Sequence, residues 1–102
     1  MPQIHEALER LDQELSLARR QTTTILKLIH GYGSTGAGGD IRIAVQKRLL
    51  ELASDGQIRG CIFGEDWSKS DAQTWKLLQS NDPLKSDPDL GRRNRGITVV
   101  LL

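Results

Sequence analysis

Residues 29–42 read IHGYGSTGAGGDIR, and they hold most of the residues whose types and spacing suggest chemistry. Five glycines fall in the nine positions 31–39, with His30 before them and Asp40 and Arg42 after. Glycine-rich turns between a strand and a helix let backbone N–H groups converge on one point, and the helix N-terminus adds partial positive charge there. The chemistry such a stretch offers is the holding of a phosphate or another anion. His30 adds a group that exchanges protons near neutral pH. Arg42, in the first turn of the predicted helix, is unfavourable for the macrodipole, so it is expected to serve a ligand or a carboxylate partner. A second cluster, GRRNRG at 91–96, puts Arg92, Arg93 and Arg95 within four residues. Their forked guanidinium groups suit phosphate contacts, and Tyr32 offers an aromatic face for a base. On residue types alone the bland readings stand beside these: a long glycine connection, a structural histidine and a solvated basic loop.

Two nucleotide-binding patterns are tested and set aside. GYGSTG at 31–36 fits G-x-G-x-x-G, but no acidic residue follows at the required distance after a further strand, and the chain is too short for the paired halves that hold a dinucleotide. A P-loop needs Gly-Lys-Ser/Thr at the end of the turn, and here the turn ends Gly39-Asp40.

The elements that must position these residues follow from periodicity. Ile4, Leu8, Leu11, Leu15 and Ala18 form one stripe and predict a helix over 2–20. TTTILKLI predicts a strand over 22–29, so His30 falls at its C-terminal end, where α/β folds place their sites. Asp40 is predicted to cap a second helix carrying Ile41, Ala44, Val45, Leu49 and Leu52, stopped by Gly56. Residues 58–64 predict a second strand, with Gly60 marking a close backbone approach. SDAQ at 70–73 predicts a capping box for a short helix with Trp75 and Leu78 facing inward and Trp67 as a plug over the sheet. Residues 81–95 read as a loop, and the nearly all-apolar GITVVLL as a strand covered on both faces.

The order α-β-α-β-α-β in 102 residues predicts one α/β domain over 1–102, with a mostly parallel sheet on this evidence alone. A net charge of +1 gives no global basic field, so electrostatic recognition must rest on local clusters; Lys47, Arg48 and Arg59 are candidates to join the arginine cluster. The single cysteine, Cys61, makes an internal disulfide impossible and is expected in the core. No signal region and no bilayer-length apolar run is visible, so the expected location is cytoplasmic with no membrane partner. No cysteine–histidine cluster at zinc spacing occurs.

At His30-Gly31-Tyr32-Gly33, at Ile41-Arg42, and at Gly96, Thr98, Val100 and Leu102, the chain resembles the Smr (small MutS-related) domain family. The resemblance implies a two-layer α/β sandwich like the C-terminal domain of translation initiation factor three. That fold has a mixed sheet of three to four strands, with helices on one face and the last strand central and antiparallel to the others. It also implies binding of DNA or RNA, and in several members nicking or cleavage, with Mg2+ or Mn2+ as the metals to test. Carried onto this chain, His30 and Arg42 are the catalytic candidates. Gly31, Tyr32, Gly33, Ser34, Thr35, Gly36, Gly38, Gly39, Arg92, Arg93 and Arg95 are the phosphate-binding ones. The Leu-Asp-x-His strand that usually opens the family's domain has no counterpart here, since His5 lies within the first helix. The expected consequence is an open sheet edge at 23–29 and pairing of two copies, or of another chain, along it. The reading from another class is a non-catalytic interaction module working through that edge; a small-molecule phosphate site is a third.

Overall fold

The computed structural model describes residues 2–31 and 39–102, with side chains from Ile4 onward. Tyr32, Gly33, Ser34, Thr35, Gly36 and Gly38 lie outside the described residues.

Helix α1 spans Pro2–Arg20 and buries Leu11, Leu15 and Ala18 of the predicted stripe. It ends in two backbone hydrogen bonds, Thr22 N–H to the Arg19 carbonyl and Thr23 N–H to the Ala18 carbonyl, with Thr22 in the left-handed region at φ 56°. That turn consumes the first threonines of the predicted strand, so β1 is shorter than expected, Ile25–Ile29. Helix α2 spans Asp40–Ser54; its N-cap is Gly39 at φ 87°, and Asp40 is its first residue rather than its cap. Gly56 stops α2 as expected, at φ 76°, with its N–H on the Ala53 carbonyl and that of Gln57 on the Leu52 carbonyl.

Strand β2 is Gly60–Phe63, followed by a 3-10 turn, Gly64–Asp66. The close approach is at Gly64, not Gly60. A Cβ on Gly64 would lie 1.7 Å from the Asn94 carbonyl oxygen, whereas one on Gly60 would meet ordinary contacts. Helix α3 spans Ala72–Ser80 and is capped by Asp71, whose carboxylate accepts from Thr74 N–H at 2.9 Å. The predicted Ser70 cap is displaced because Ser70 instead shares a hydrogen bond with Ser68. Leu78 is buried, but Trp75 faces out at 45% exposure, since Thr74 takes the inward position. Part of the predicted 81–95 loop is a second 3-10 turn, Asp82–Ser86. Strand β3, Ile97–Leu101, closes the chain.

The sheet order is β1-β3-β2, and both pairings are antiparallel. β3 is central, as its apolar sequence requires: Ile97 to Val100 are all buried. Antiparallel pairing on both sides replaces the parallel reading, because β3 returns between two strands that run alongside each other. One face carries Leu28 and Val100 against α1 and α2, through Leu11, Leu15, Val45 and Leu49, with Ile58 from just before β2 in the same core. The other carries Ile62, Ile97 and Val99 against Trp67 and Leu78, with Leu84 and Leu90 at the margin. Helices on one face therefore describes α1 and α2; α3 and the 3-10 turns cover the second face. Trp67 is the predicted plug, fully buried, with its indole N–H donating to Asp87 at 3.0 Å. Cys61 is half-buried at the margin of the α1–α2 core, and burial pushes its thiol pKa up. No helix among the described residues is long and apolar enough to cross a membrane.

Candidate nucleic-acid interface

Four chain segments meet at one end of the sheet: the C-terminal end of β1, the turn after β2, the N-terminal end of β3 and the start of α2. Antiparallel pairing puts Ile29 opposite Ile97 and Phe63 opposite Thr98, so whatever follows β1 and β2 and precedes β3 lies together. His30 and Gly31 both donate their backbone N–H to the Gly96 carbonyl, at 3.0 and 2.9 Å. Gly31 adopts φ 73°, and a side chain on Gly96 would press on the Gly31 backbone at 3.3 Å. The dihedral at Gly31 favours glycine, and at Gly96 a side chain would fit only tightly.

The His30 side chain is held at both nitrogens. Nδ1 lies 2.8 Å from the Gly31 carbonyl, which only accepts, so Nδ1 carries the proton. Nε2 lies 3.0 Å from the hydroxyl of Thr98, which is fully buried and donates to it. Burial lowers the His30 pKa; the Gly31 and Ile97 carbonyls and the Glu65 charge pull it up, the Arg42 charge pushes it down, and the net direction is down. His30 is therefore a neutral imidazole at pH 7.

Arg42 has found a carboxylate. Its Nη1 lies 3.2 Å from Glu65 and 3.3 Å from the Gln46 side-chain oxygen, and Gln46 donates to the other Glu65 oxygen at 3.2 Å. Arg42 and Gln46 stand one helical turn apart on α2, and Glu65 is the second residue of the turn after β2. The three form a closed triangle beside His30.

The arginine loop is tied to the same end of the sheet. Asn94 donates to Asp89 at 2.9 Å and accepts from Gly96 N–H at 2.9 Å. Asp89 and Asp87 in turn bind the Lys27 ammonium, and Asp87 also holds the Trp67 indole. Burial alone would lower the Lys27 pKa, but the two carboxylates outweigh it and raise it; Lys27 and Asn94 lower that of Asp89. This network fixes the segment from which Arg92, Arg93 and Arg95 project, all exposed, with Arg93 at φ 53°. Among the described residues no carboxylate lies within ion-pair distance of these three.

Two of the other basic candidates, Arg48 and Arg59, do not join them. Arg48 is bound by both oxygens of Asp12 at 3.0–3.1 Å on the α1–α2 surface. Arg59 precedes β2, with its N–H on the Leu101 carbonyl, and so stands at the opposite end of the sheet. Gly31 N–H is already given to Gly96, so amides beyond it would have to serve an anion.

This architecture is similar to that of the Smr domain of Thermus thermophilus MutS2, solved as a crystal structure. The TM-score is 0.58, with 25% identity over 97% of this chain and 85% of that one. The chain is an Smr-like domain. No family model and no curated protein matches it. In this Smr-like domain the motif segments that are 66 residues apart in sequence, His30-Gly31 and Gly96-x-Thr98, are bonded to each other through side chain and backbone.

Glu65, Gln46 and Asn94 belong to the site without having been singled out for it. Glu65 carried one usable signal, its place just after a predicted strand, at the sheet end where His30 also sits. Gln46 and Asn94 are ordinary polar residues in a helix and a loop and carried none.

Among the described residues no group of three or more His, Cys, Asp or Glu side chains is placed to hold a metal ion. The acidic and imidazole groups at the site, Glu65 and His30, are both engaged by protein partners. Among the described residues the donor set therefore does not fit a resident metal.

Proposed function

We propose that this Smr-like domain binds the phosphate backbone of DNA or RNA at the sheet end formed by His30, the glycine-rich segment, the start of α2 and the arginine loop. The observation that carries the reading is the double tie of Gly31 and Asn94 to Gly96. It holds Gly31, where the glycine-rich stretch of the sequence begins, beside Asn94 of the arginine loop, although 62 residues lie between them in the sequence. Arg92, Arg93 and Arg95 supply unpaired charge, and the first-turn amides of α2 supply aligned donors. The likeness to the Smr fold supports the same reading.

Phosphodiester nicking is the finer reading. It needs a group to activate water and a charge to stabilise the developing oxyanion. His30, with its protonated Nδ1 on a carbonyl and Nε2 on Thr98, is built to stay in one orientation. Arg42 reaches phosphate only by sharing its charge with Glu65. In this reading His30 orients the turn and Arg42 stabilises charge.

The test is binding of a labelled branched DNA, a single-stranded DNA and an RNA hairpin at two salt concentrations, with cleavage followed in Mg2+ and in Mn2+. Each phosphate contact contributes about 0.9 to the salt slope on duplex DNA and about 0.7 on single strands. Replacing Arg92, Arg93 and Arg95 by Gln is expected to weaken binding and flatten that slope on every substrate. Absence of salt-sensitive binding at low salt overturns the proposal. Binding without cleavage keeps the binding function and removes the nicking one.

A further inference from the structure

Among the described residues the outer side of β1 is an open hydrogen-bonding edge. Leu102 N–H bonds to the Thr24 carbonyl and His30 N–H to the Gly96 carbonyl, and these fix the alternation along the strand. Thr24, Leu26, Leu28 and His30 turn their backbone groups towards β3. Ile25, Lys27 and Ile29 turn theirs away. Among the described residues no strand pairs with that side, and no backbone group of α1 or α2 bonds to it. A cleft of about 550 Å3 runs beside it, floored by Leu11, Leu28, Ile41 and Val45. Ile29 stands 80% exposed on the same strand.

The strand itself names the occupant. Residues 25–29 read ILKLI, the same in both directions. Antiparallel pairing of this strand with a second copy, centred on Lys27, sets Ile25 opposite Ile29, Leu26 opposite Leu28 and Lys27 opposite Lys27. All three outward-facing residues then meet outward-facing residues, as three mutually bonded pairs. A shift by one residue would set outward groups against inward ones and break the match between the two faces. Branched apolar residues directly opposite each other are favourable cross-strand pairs.

Charge is compatible with the axis. Two bare lysines facing each other would repel. Here each Lys27 ammonium is held within its own copy by Asp87 at 2.9 Å and by Asp89, so neither lysine is bare. Such a contact is isologous and closes on itself, which suits a two-fold dimer.

We infer that a second copy of this chain adds its β1 to this edge, antiparallel about a two-fold axis through Lys27, to give a continuous sheet in the order β2-β3-β1-β1-β3-β2. This surface borders the proposed phosphate site, since Lys27 binds the same Asp87 and Asp89 that hold the arginine loop, but its test reads the oligomeric state and not phosphate binding.

Sedimentation velocity over a wide concentration series tests it, with two variants. Ile29→Pro removes an N–H that β1 does not use within its own sheet, at an exposed edge position where proline is tolerated. It is expected to leave monomer at every concentration while the native chain dimerises. Ile29→Thr keeps the N–H and is expected to dimerise still. As a readout of register, Ile25→Cys with Ile29→Cys in a Cys61→Ser background is expected to cross-link two chains on mild oxidation, even where the proline variant folds poorly. A native chain that stays monomeric throughout overturns the inference. So does a dimer that Ile29→Pro leaves intact, or a folded cysteine variant that forms no cross-link.

Discussion

The Thr98 hydroxyl lies 3.0 Å from Nε2 of His30, and Thr98 is the one polar side chain in a buried central strand that otherwise reads Ile, Val, Val, Leu. A buried hydroxyl is costly unless it is bonded, so its presence there is explained by the imidazole it serves. The bond leaves Nδ1 to donate to the Gly31 carbonyl, and thereby sets the direction in which the chain leaves β1.

Thr98→Val keeps the shape of the strand and removes the hydroxyl. Because it leaves a half-buried ring nitrogen without its donor, we expect a loss of about 1 kcal/mol, the low end for an unsatisfied group. Thr98→Ser is expected to retain the bond. Urea unfolding gives the stability. Nitrogen NMR of His30 gives the tautomer, which should stay in the single Nδ1–H form in the native and Ser proteins and become mixed in the Val protein.

The lowered His30 pKa has a definite sign. In the unfolded chain His30 takes up a proton near its ordinary value of about 6.5, while in the folded chain it stays neutral to lower pH. Its contribution is fully present above that ordinary value and is lost as pH falls towards the folded pKa. Urea midpoints between pH 8 and pH 5 should therefore fall on the acid side, and His30→Asn should flatten the fall. Asp89, whose pKa is also lowered, acts in a separate and more acidic window, below the ordinary carboxylate value.

Gly64→Ala should be severe. Its Cβ would lie 1.7 Å from the Asn94 carbonyl oxygen and 2.8 Å from that of Ile97, and both are backbone atoms that cannot rotate away. We expect a loss at or beyond about 4 kcal/mol, in the range reserved for such clashes. Circular dichroism during heating will show it, and Gly60→Ala, which meets only ordinary contacts, should melt close to the native chain.

Thr22→Gly should stabilise. A β-branched residue at φ 56° bears a steric cost that glycine does not, and the site is an exposed helix stop. Offset by the larger freedom of glycine when unfolded, the expected gain is about 0.5 kcal/mol, read as a higher urea midpoint. An unchanged or lower midpoint would show that the Thr22 hydroxyl, 2.6 Å from the Gln21 carbonyl, matters more.

Local pattern determined the helix over 2–20, the Gly56 stop, the burial of Trp67 and the covering of the last strand on both faces, because each depends on residues close together in the chain. The residue types also marked His30 and a charge partner for Arg42. Tertiary structure decided what those residues touch. Glu65 meets Arg42, Thr98 meets His30, Asn94 meets Gly96 and Lys27 meets Asp87 only because β3 returns antiparallel between β1 and β2. The cap of α3 passed from Ser70 to Asp71, and the tight glycine from 60 to 64. Those are choices between neighbours, which a pattern of polarity cannot separate and a backbone contact can. Strand order is a long-range property: any of the three strands has the apolar content to pair with any other, and the burial of both faces of ITVVL, once helices lie on each side, selects it for the middle.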